Sequence, residues 1–132
     1  MLMGGCTPVV TAAEAADILV NATAVVYTKA FKLINGQYFG LFARAVSATG
    51  AAKVKIEFEQ GPLLPTTEGA AETTRWVEPD GMSDIVDITD ELMHVFTITP
   101  KPGPYGRYKI TGAAENPVDT IVNLWNFIQE PS

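Results

Sequence analysis

Apolar and charged residues alternate strictly in the segment KVKIEFEQ, residues 53–60. Val54, Ile56 and Phe58 occupy every second position, and charged side chains fill most of the positions between and around them. A period of two places the apolar side chains on one face of a strand and the charges on the other. The pattern predicts a strand that is buried on one face and solvated on the other.

Shorter runs that are rich in β-branched and aromatic residues recur along the chain. They predict further strands at residues 37–46, 75–77, 85–88, 92–99, 105–111 and 118–129, separated by turn-forming residues. The run at 37–46 is followed by SATG and then by the strand at 53–60, so these two strands are predicted to form a hairpin. The segment GPLLPTTEGAAETT, residues 61–74, has no such period and predicts a long surface loop.

The first 24 residues differ from the rest, because they are rich in Ala, Val and Thr and contain only two charged side chains, Glu14 and Asp17. Thr11 is followed three residues later by Glu14, a capping-box pattern that leaves a short helix over 11–20 as an alternative to extended chain. We therefore predict an all-β protein, an antiparallel β-sandwich of jelly-roll type at 25–132, preceded by an extended or partly helical N-terminal arm at 1–24.

The charge of the chain is concentrated in its middle third. The formal net charge is -6, and residues 53–100 contain ten Asp and Glu against three Lys and Arg. Such a surface repels phosphate groups, so we predict no nucleic-acid partner. No run approaches the ~20 apolar residues that span a bilayer, and no basic residue precedes Lys29 as an export signal would require. We expect a soluble protein with no membrane partner.

The segment EPDGMSDIVDITDE, residues 78–91, is the densest group of acids and the first candidate for chemistry. It does not follow the ligand spacing of an EF-hand, and Pro79-Asp80-Gly81 is typical of a turn. Asp84, Asp87 and Asp90 recur every third residue, which does not match a strand face. We interpret the segment as solvated loop acids. A calcium site built from several loops and a small acidic hydrolase remain weaker alternatives.

Other chemistry finds little support in the residues. His94 is the one histidine and Cys6 the one cysteine, so zinc sites with two or more histidines and internal disulfides are excluded. His94 shares its predicted strand face with apolar residues, which favours a hydrogen-bonded core or interface side chain. No nucleophile-elbow, P-loop or dinucleotide-binding motif is present. We predict that the protein is not an enzyme and uses no cofactor and no metal.

Trp76 and Tyr105 lie beside predicted loops and are the candidates for stacking on a sugar ring. Trp125 lies in the apolar last strand and is assigned to the core. A carbohydrate-binding module is therefore the alternative function, with Trp76 and Tyr105 as its stacking residues.

Four stretches together carry a resemblance to a known group of proteins: AVVYTKAFKLINGQYFGLFARA at 24–45, KVKIEFEQ at 53–60, WVEPDGMSDIVDITDELMHVFTITP at 76–100 and YGRYKITGAAENPVDTIVNLWNFIQE at 105–130. They resemble small proteins encoded near the capsid genes of tailed bacteriophages. The resemblance covers about residues 25–130 and includes no catalytic motif.

The resemblance implies a virion structural protein, a capsid decoration or cement protein made in the host cytoplasm and located on the capsid surface. Such proteins are small β-rich domains, often trimers, that bind the outer surface of the major capsid protein lattice. The implied partners are the major capsid protein and further copies of the chain, and the carbohydrate-binding alternative would belong to a tail or fibre. The apolar N-terminal segment supplies the candidate interface residues, which are Pro8, Val9, Val10, Ile18, Leu19 and Val20.

Overall fold

A computed structural model of the protein describes residues 3–21, 23–33, 38–47, 53–80, 86–112 and 119–129. Within these residues the chain forms β-strands and no helix. The strands are β1 (Met3–Val9), β2 (Ile18–Val20), β3 (Val25–Tyr27), β4 (Phe31–Lys32), β5 (Phe39–Ser47), β6 (Val54–Gly61), β7 (Val86–Ile88), β8 (His94–Ile98), β9 (Tyr105–Gly112) and β10 (Thr120–Gln129).

The strands form two antiparallel sheets. In the first sheet the order is β1-β10-β5-β8, and β2 also pairs with β10. In the second sheet the order is β3-β9-β6-β7, and β4 also pairs with β9. Each sheet therefore has four strand positions, with one edge position shared by two short strands. Counting β1 with β2 as position 1, β3 with β4 as position 2, and β5 to β10 as positions 3 to 8, the two sheets have the jelly-roll orders 1-8-3-6 and 2-7-4-5. Consecutive positions lie in different sheets except β6 and β7, which are neighbours in the second sheet, and this topology confirms the predicted fold class.

The core lies between the sheets and consists of every second residue of the long strands. β6 alternates buried and half-buried side chains along its length, as its sequence predicts. Leu41, Ala43 and Ala45 of β5 face Ile56, Phe58 and Ile110 of the second sheet as members of one buried cluster. An aromatic group formed by Phe31, Phe39, Phe58 and Tyr108 fills part of the core with ring centroids 5.6–6.4 Å apart.

The predicted hairpin between residues 37–46 and 53–60 is wrong. β5 pairs with β10 and β8 in the first sheet, whereas β6 pairs with β9 and β7 in the second. The connection therefore crosses from one sheet to the other. A cluster of small turn residues suits such a crossing as well as it suits a tight hairpin, so the turn signal alone does not choose the partner strand.

The predicted N-terminal arm at 1–24 is extended in its described part and packs onto the first sheet. β1 and β2 both pair with β10, and their side chains Val9, Ile18 and Val20 are buried in the core. Burying three such side chains stabilises the fold by about 1.5–3 kcal/mol each. The described part of the arm is thus the edge of the first sheet, and the domain includes it.

The helical alternative over 11–20 is also wrong. The Thr11 backbone amide donates to the Ala15 carbonyl, and the Glu14 amide donates to the Thr11 carbonyl, which closes a compact turn. Glu14 adopts a left-handed φ of 64° and its carboxylate accepts a 2.7 Å hydrogen bond from Lys29 Nζ. A helix cannot continue through that backbone conformation, so Thr11 and Glu14 belong to a turn that leads into β2.

Candidate interaction surface

The outward side of the first sheet is apolar across all four strand positions. Directly opposite residues of antiparallel strands project to the same side, so the register defines rows of neighbouring side chains. One row is Pro8, Trp125, Phe42 and Val95, which lie on β1, β10, β5 and β8 respectively. The sheet therefore carries a continuous band of large apolar groups on the side that faces away from the core.

Two further rows extend this band along the strands. Phe127 lies opposite Cys6 on one side and Gly40 on the other, and its ring meets Phe42 edge-on with centroids 6.3 Å apart. Towards the other end of the sheet, Ile121 lies between Leu19 and Val46. We call this surface the apolar face, defined by Pro8, Leu19, Phe42, Val46, Val95, Ile121, Trp125 and Phe127.

Several members of the apolar face are openly solvent-accessible. Leu19 is 52% exposed, Val95 61% and Ile121 43%. Phe42, Val46, Trp125 and Phe127 are half-buried, and the rings of Phe42 and Phe127 contact each other. Exposed apolar patches of this kind mark sites where another molecule binds.

The middle row of the same side is polar. Asn123 on β10 lies opposite Arg44 on β5, and Asn123 Nδ2 donates hydrogen bonds to Asp17 Oδ1 at 2.7 Å and to the Ala16 carbonyl at 3.1 Å. Arg44 is exposed and is the one charged residue among the described outward side chains of these strands. Within the described part of the chain it has no ion-pair partner. Along this row Asp17 lies at the edge of the sheet, Asn123 lies next to it on β10, and Arg44 follows on β5.

The outward side of the second sheet has the opposite character. Lys55, Glu57 and Glu59 of β6 project there, together with Lys109 of β9. Arg107 projects to the same side but lies buried beneath the 62–76 loop. This is the alternation of apolar inside and charged outside that antiparallel sheets facing water usually show. The two sheets belong to one domain, yet only the first has an apolar outward side. The apolar face therefore does not result from a generally apolar composition of the chain.

The structure separates the six predicted interface residues into two groups. Pro8 and Leu19 project outwards and belong to the apolar face. Val9, Ile18 and Val20 are buried in the core and are not available to a partner, because they alternate with the outward residues along their strands. Val10 follows β1 and is half-buried.

Trp76 is not available for stacking on a sugar, because it is only 3% exposed. It lies against the guanidinium of Arg107, whose Cζ is 4.7 Å from the Trp76 ring centroid and 4.3 Å from that of Tyr27. Arg107 is buried between these rings and donates from Nε to Glu59 Oε1 at 3.0 Å and from Nη1 to the Ala70 carbonyl at 2.8 Å. This cluster holds the 62–76 loop against the second sheet.

Tyr105, the second stacking candidate, is half-buried at the start of β9. A groove of about 490 Å³ lies nearby, lined by prolines together with Gln60, Val77, Asp80 and Lys101. None of its lining residues is aromatic. Tyr105 lies opposite Gly61 in the register, and Gly61 lies against the Trp76 ring. Because Trp76 is buried, the two side chains do not form an exposed stacking platform.

The acidic segment at 78–91 is only partly described, and Asp84 lies outside the described residues. Asp90 accepts hydrogen bonds from the Leu92 amide at 3.0 Å and bonds to His94 Nε2 at 2.7 Å, and the bond with His94 lowers the pKa of the Asp90 carboxyl. Within the described residues no three His, Cys, Asp or Glu side chains come together as a metal site. The described part of the chain also contains no helix with the length and apolarity to cross a bilayer.

The chain was compared with protein-family models, with curated proteins and with solved structures, and it matches none of them.

The sequence does contain a signal for the apolar face. The segment Ile121 to Phe127, IVNLWNF, and the segment Phe39 to Val46, FGLFARAV, are apolar at inward and outward positions alike. In an antiparallel sandwich an apolar outward set is unexpected, because that side normally faces water. The apolar neighbours of Trp125 in the sequence favoured a core position. In the structure Trp125 projects outwards, opposite Phe42, and is half-buried.

Proposed function

We propose that the protein is a non-enzymatic structural component of a tailed-phage virion, which binds the outer surface of the capsid and stabilises the major capsid protein lattice. The observation that carries the proposal is the apolar face, because it equips a small domain to pack against other protein. The proposal of a phage particle rests on the resemblance of four stretches of the chain to proteins encoded near phage capsid genes.

The composition of the apolar face suits a protein–protein contact. Trp and Arg are the residue types that contribute most binding energy at such contacts, and aromatic residues are enriched there. Trp125 and Arg44 lie near the middle of the face, with Phe42 between them in the register. Edge strand β8 adds a second route to contacts with neighbouring subunits, because within the described residues only one of its sides is paired, through β5.

The direct test has two parts. Mass analysis of purified virions should find the protein at a copy number comparable with that of the major capsid protein. Purified protein should also cosediment with expanded capsids that lack it and should saturate them. Capsids that already carry their full complement are the matched control and should bind no more.

A copy number of only a few per virion would instead indicate a tail or fibre component, and the decoration function would be rejected. Failure to cosediment with capsids that lack the protein would reject it as well. Sugar binding stays a prediction for a tail or fibre component. In that case Tyr105→Ala should weaken binding of the protein to a glycan array.

A further inference from the structure

We propose that the apolar face is covered by a second copy of this chain, with the two first sheets stacked face to face about a two-fold axis. Faces of β-sheets pack against each other about 10 Å apart, as in the core of a sandwich. A self-complementary surface is what an isologous, closed pair requires. The inference goes beyond capsid binding, because it concerns the free protein in solution, where the second copy occupies the face that the capsid would cover on the particle.

The charges on the middle row support a second copy over an unrelated partner. Asp17 and Arg44 lie on opposite sides of Asn123, one strand position away in each direction. A two-fold axis that runs parallel to β10, above Asn123, exchanges these two sides. Each Arg44 then faces the partner's Asp17, so both exposed charges of one copy find an opposite charge on the other.

The same axis matches the apolar rows. It brings Trp125 against the partner's Trp125 and Phe42 against the partner's Pro8. In the row at the other end, Ile121 meets the partner's Ile121 and Leu19 meets the partner's Val46. Every large apolar group of β1, β2, β10 and β5 on this side is then covered by an apolar group, while Val95 of β8 lies at the rim.

The acids of the chain do not oppose this pairing. Most of them lie in residues 53–100, and Glu57 and Glu59 project from the second sheet, on the far side of the domain. Two copies that each carry a net charge of -6 can therefore approach through the first sheet with their acidic regions apart.

Sedimentation equilibrium of the purified full chain, with no capsid present, tests the proposal. We expect a concentration-dependent mass that reaches two copies. Ile121→Glu places two carboxylates against each other on the axis and should lower the association constant by about tenfold or more. Val25→Glu is the matched control, since Val25 is 46% exposed on the second sheet and Ile121 is 43% exposed on the first, and it should leave association unchanged.

A charge exchange distinguishes a second copy from any other occupant. Asp17→Arg and Arg44→Asp should each weaken association about tenfold, because each change places like charges opposite one another. The double variant restores both pairs and should return to within about threefold of the original association constant. Both changed positions, Asp17 and Arg44, are exposed, and a thermal melt of each of the three variants checks that the fold is retained.

Three results would overturn the inference: a single-copy mass at all concentrations, a three-copy mass, or a double variant no tighter than the single variants. None of these measurements uses a capsid. Failure of the pairing and failure of capsid binding are therefore read from separate experiments.

Discussion

Gly61 and Trp76 approach so closely that no side chain fits between them. A Cβ atom on Gly61 would lie 2.5 Å from Cε2 and 2.6 Å from Cδ2 of the Trp76 ring. The ring cannot retreat easily, because it is buried and packs on the guanidinium of Arg107. Gly61 is the last residue of β6, so the contact fixes where the 62–76 loop leaves the second sheet.

We predict that Gly61→Ala destabilises the protein by about 1–3 kcal/mol, the usual range for overpacking in a core. Gly40→Ala is the matched control, because a Cβ there would meet its nearest atom, Phe127 Cβ, at an ordinary 3.8 Å. Urea unfolding midpoints measure both. An equal effect of the two substitutions would show that the Trp76 ring moves aside at little cost.

The burial of Arg107 could not be predicted from the sequence around it. In YGRYKIT it alternates with apolar residues like any outward-facing charge, and the pattern indicates a solvated position. Its burial at 1% exposure comes from the 62–76 loop, which folds over it and offers the Ala70 carbonyl. That contact joins residues far apart in the chain, and no local period records it.

The buried Arg107 anchors the 62–76 loop to the second sheet. Arg107 bonds to the loop through Ala70 and to the sheet through Glu59, whose side chain is 14% exposed. Glu72 adds a local support, since its carboxylate accepts from the Thr66 amide and from Arg75. The loop is therefore anchored at its middle and braced within itself.

We predict that Arg107→Met destabilises the protein by about 3 kcal/mol, because it leaves Glu59 largely buried without its partner. Amide hydrogen exchange should accelerate in residues 62–76 more than in β5 or β10. Lys109→Met, two residues along the same strand and on the same side, is the control and should change stability by less than about 0.5 kcal/mol. Unchanged exchange in the loop would contradict the anchoring role of Arg107.

Element by element, the sequence predicted the strands better than their partners. β6 and β9 follow from alternation, and β8 and β10 follow from β-branched and aromatic content. The pairing of the strands could not be predicted in the same way. The period of a pattern locates a strand and turn residues locate its ends, but neither identifies the neighbouring strand. The hairpin between β5 and β6 was wrong for that reason, and for the same reason the sequence did not indicate that β1 and β2 pair with β10.

Across the whole molecule, Tyr108 links the two sheets. It projects inwards from β9 of the second sheet, and its hydroxyl donates a 2.7 Å hydrogen bond to Asn126 Oδ1 on β10 of the first. Tyr108 is fully buried, and this burial raises the pKa of its phenol well above the ordinary value of 10.0. The native protein therefore keeps this proton at a pH where the unfolded chain releases it.

The consequence is a loss of stability in alkali. The pKa of Tyr108 is higher in the folded protein than in the unfolded chain. Its contribution to the free energy of unfolding is therefore fully present below pH 10 and declines as the pH rises from there towards the folded pKa. Tyr108→Phe should cost about 1 kcal/mol at neutral pH, through the lost hydrogen bond, and should make the alkaline decline less steep. Unfolding free energies at pH 8 to 11 measure both effects.

Tyr38→Phe serves as the control for that series, since Tyr38 is 72% exposed and its replacement should leave the alkaline decline as it is. A Tyr108→Phe protein that declines as steeply as the original would show that another group is responsible.

β10 pairs with β1, β2 and β5, and so occupies the interior of the first sheet. It is also synthesised after the nine other strands of the described residues. During translation β1 and β5 thus emerge long before the strand that lies between them, and only β8 can join β5 early. Folding that depends on such distant pairings is slow. The first sheet is completed only when the final strand leaves the ribosome, and until then its apolar residues are exposed to chaperones and to aggregation.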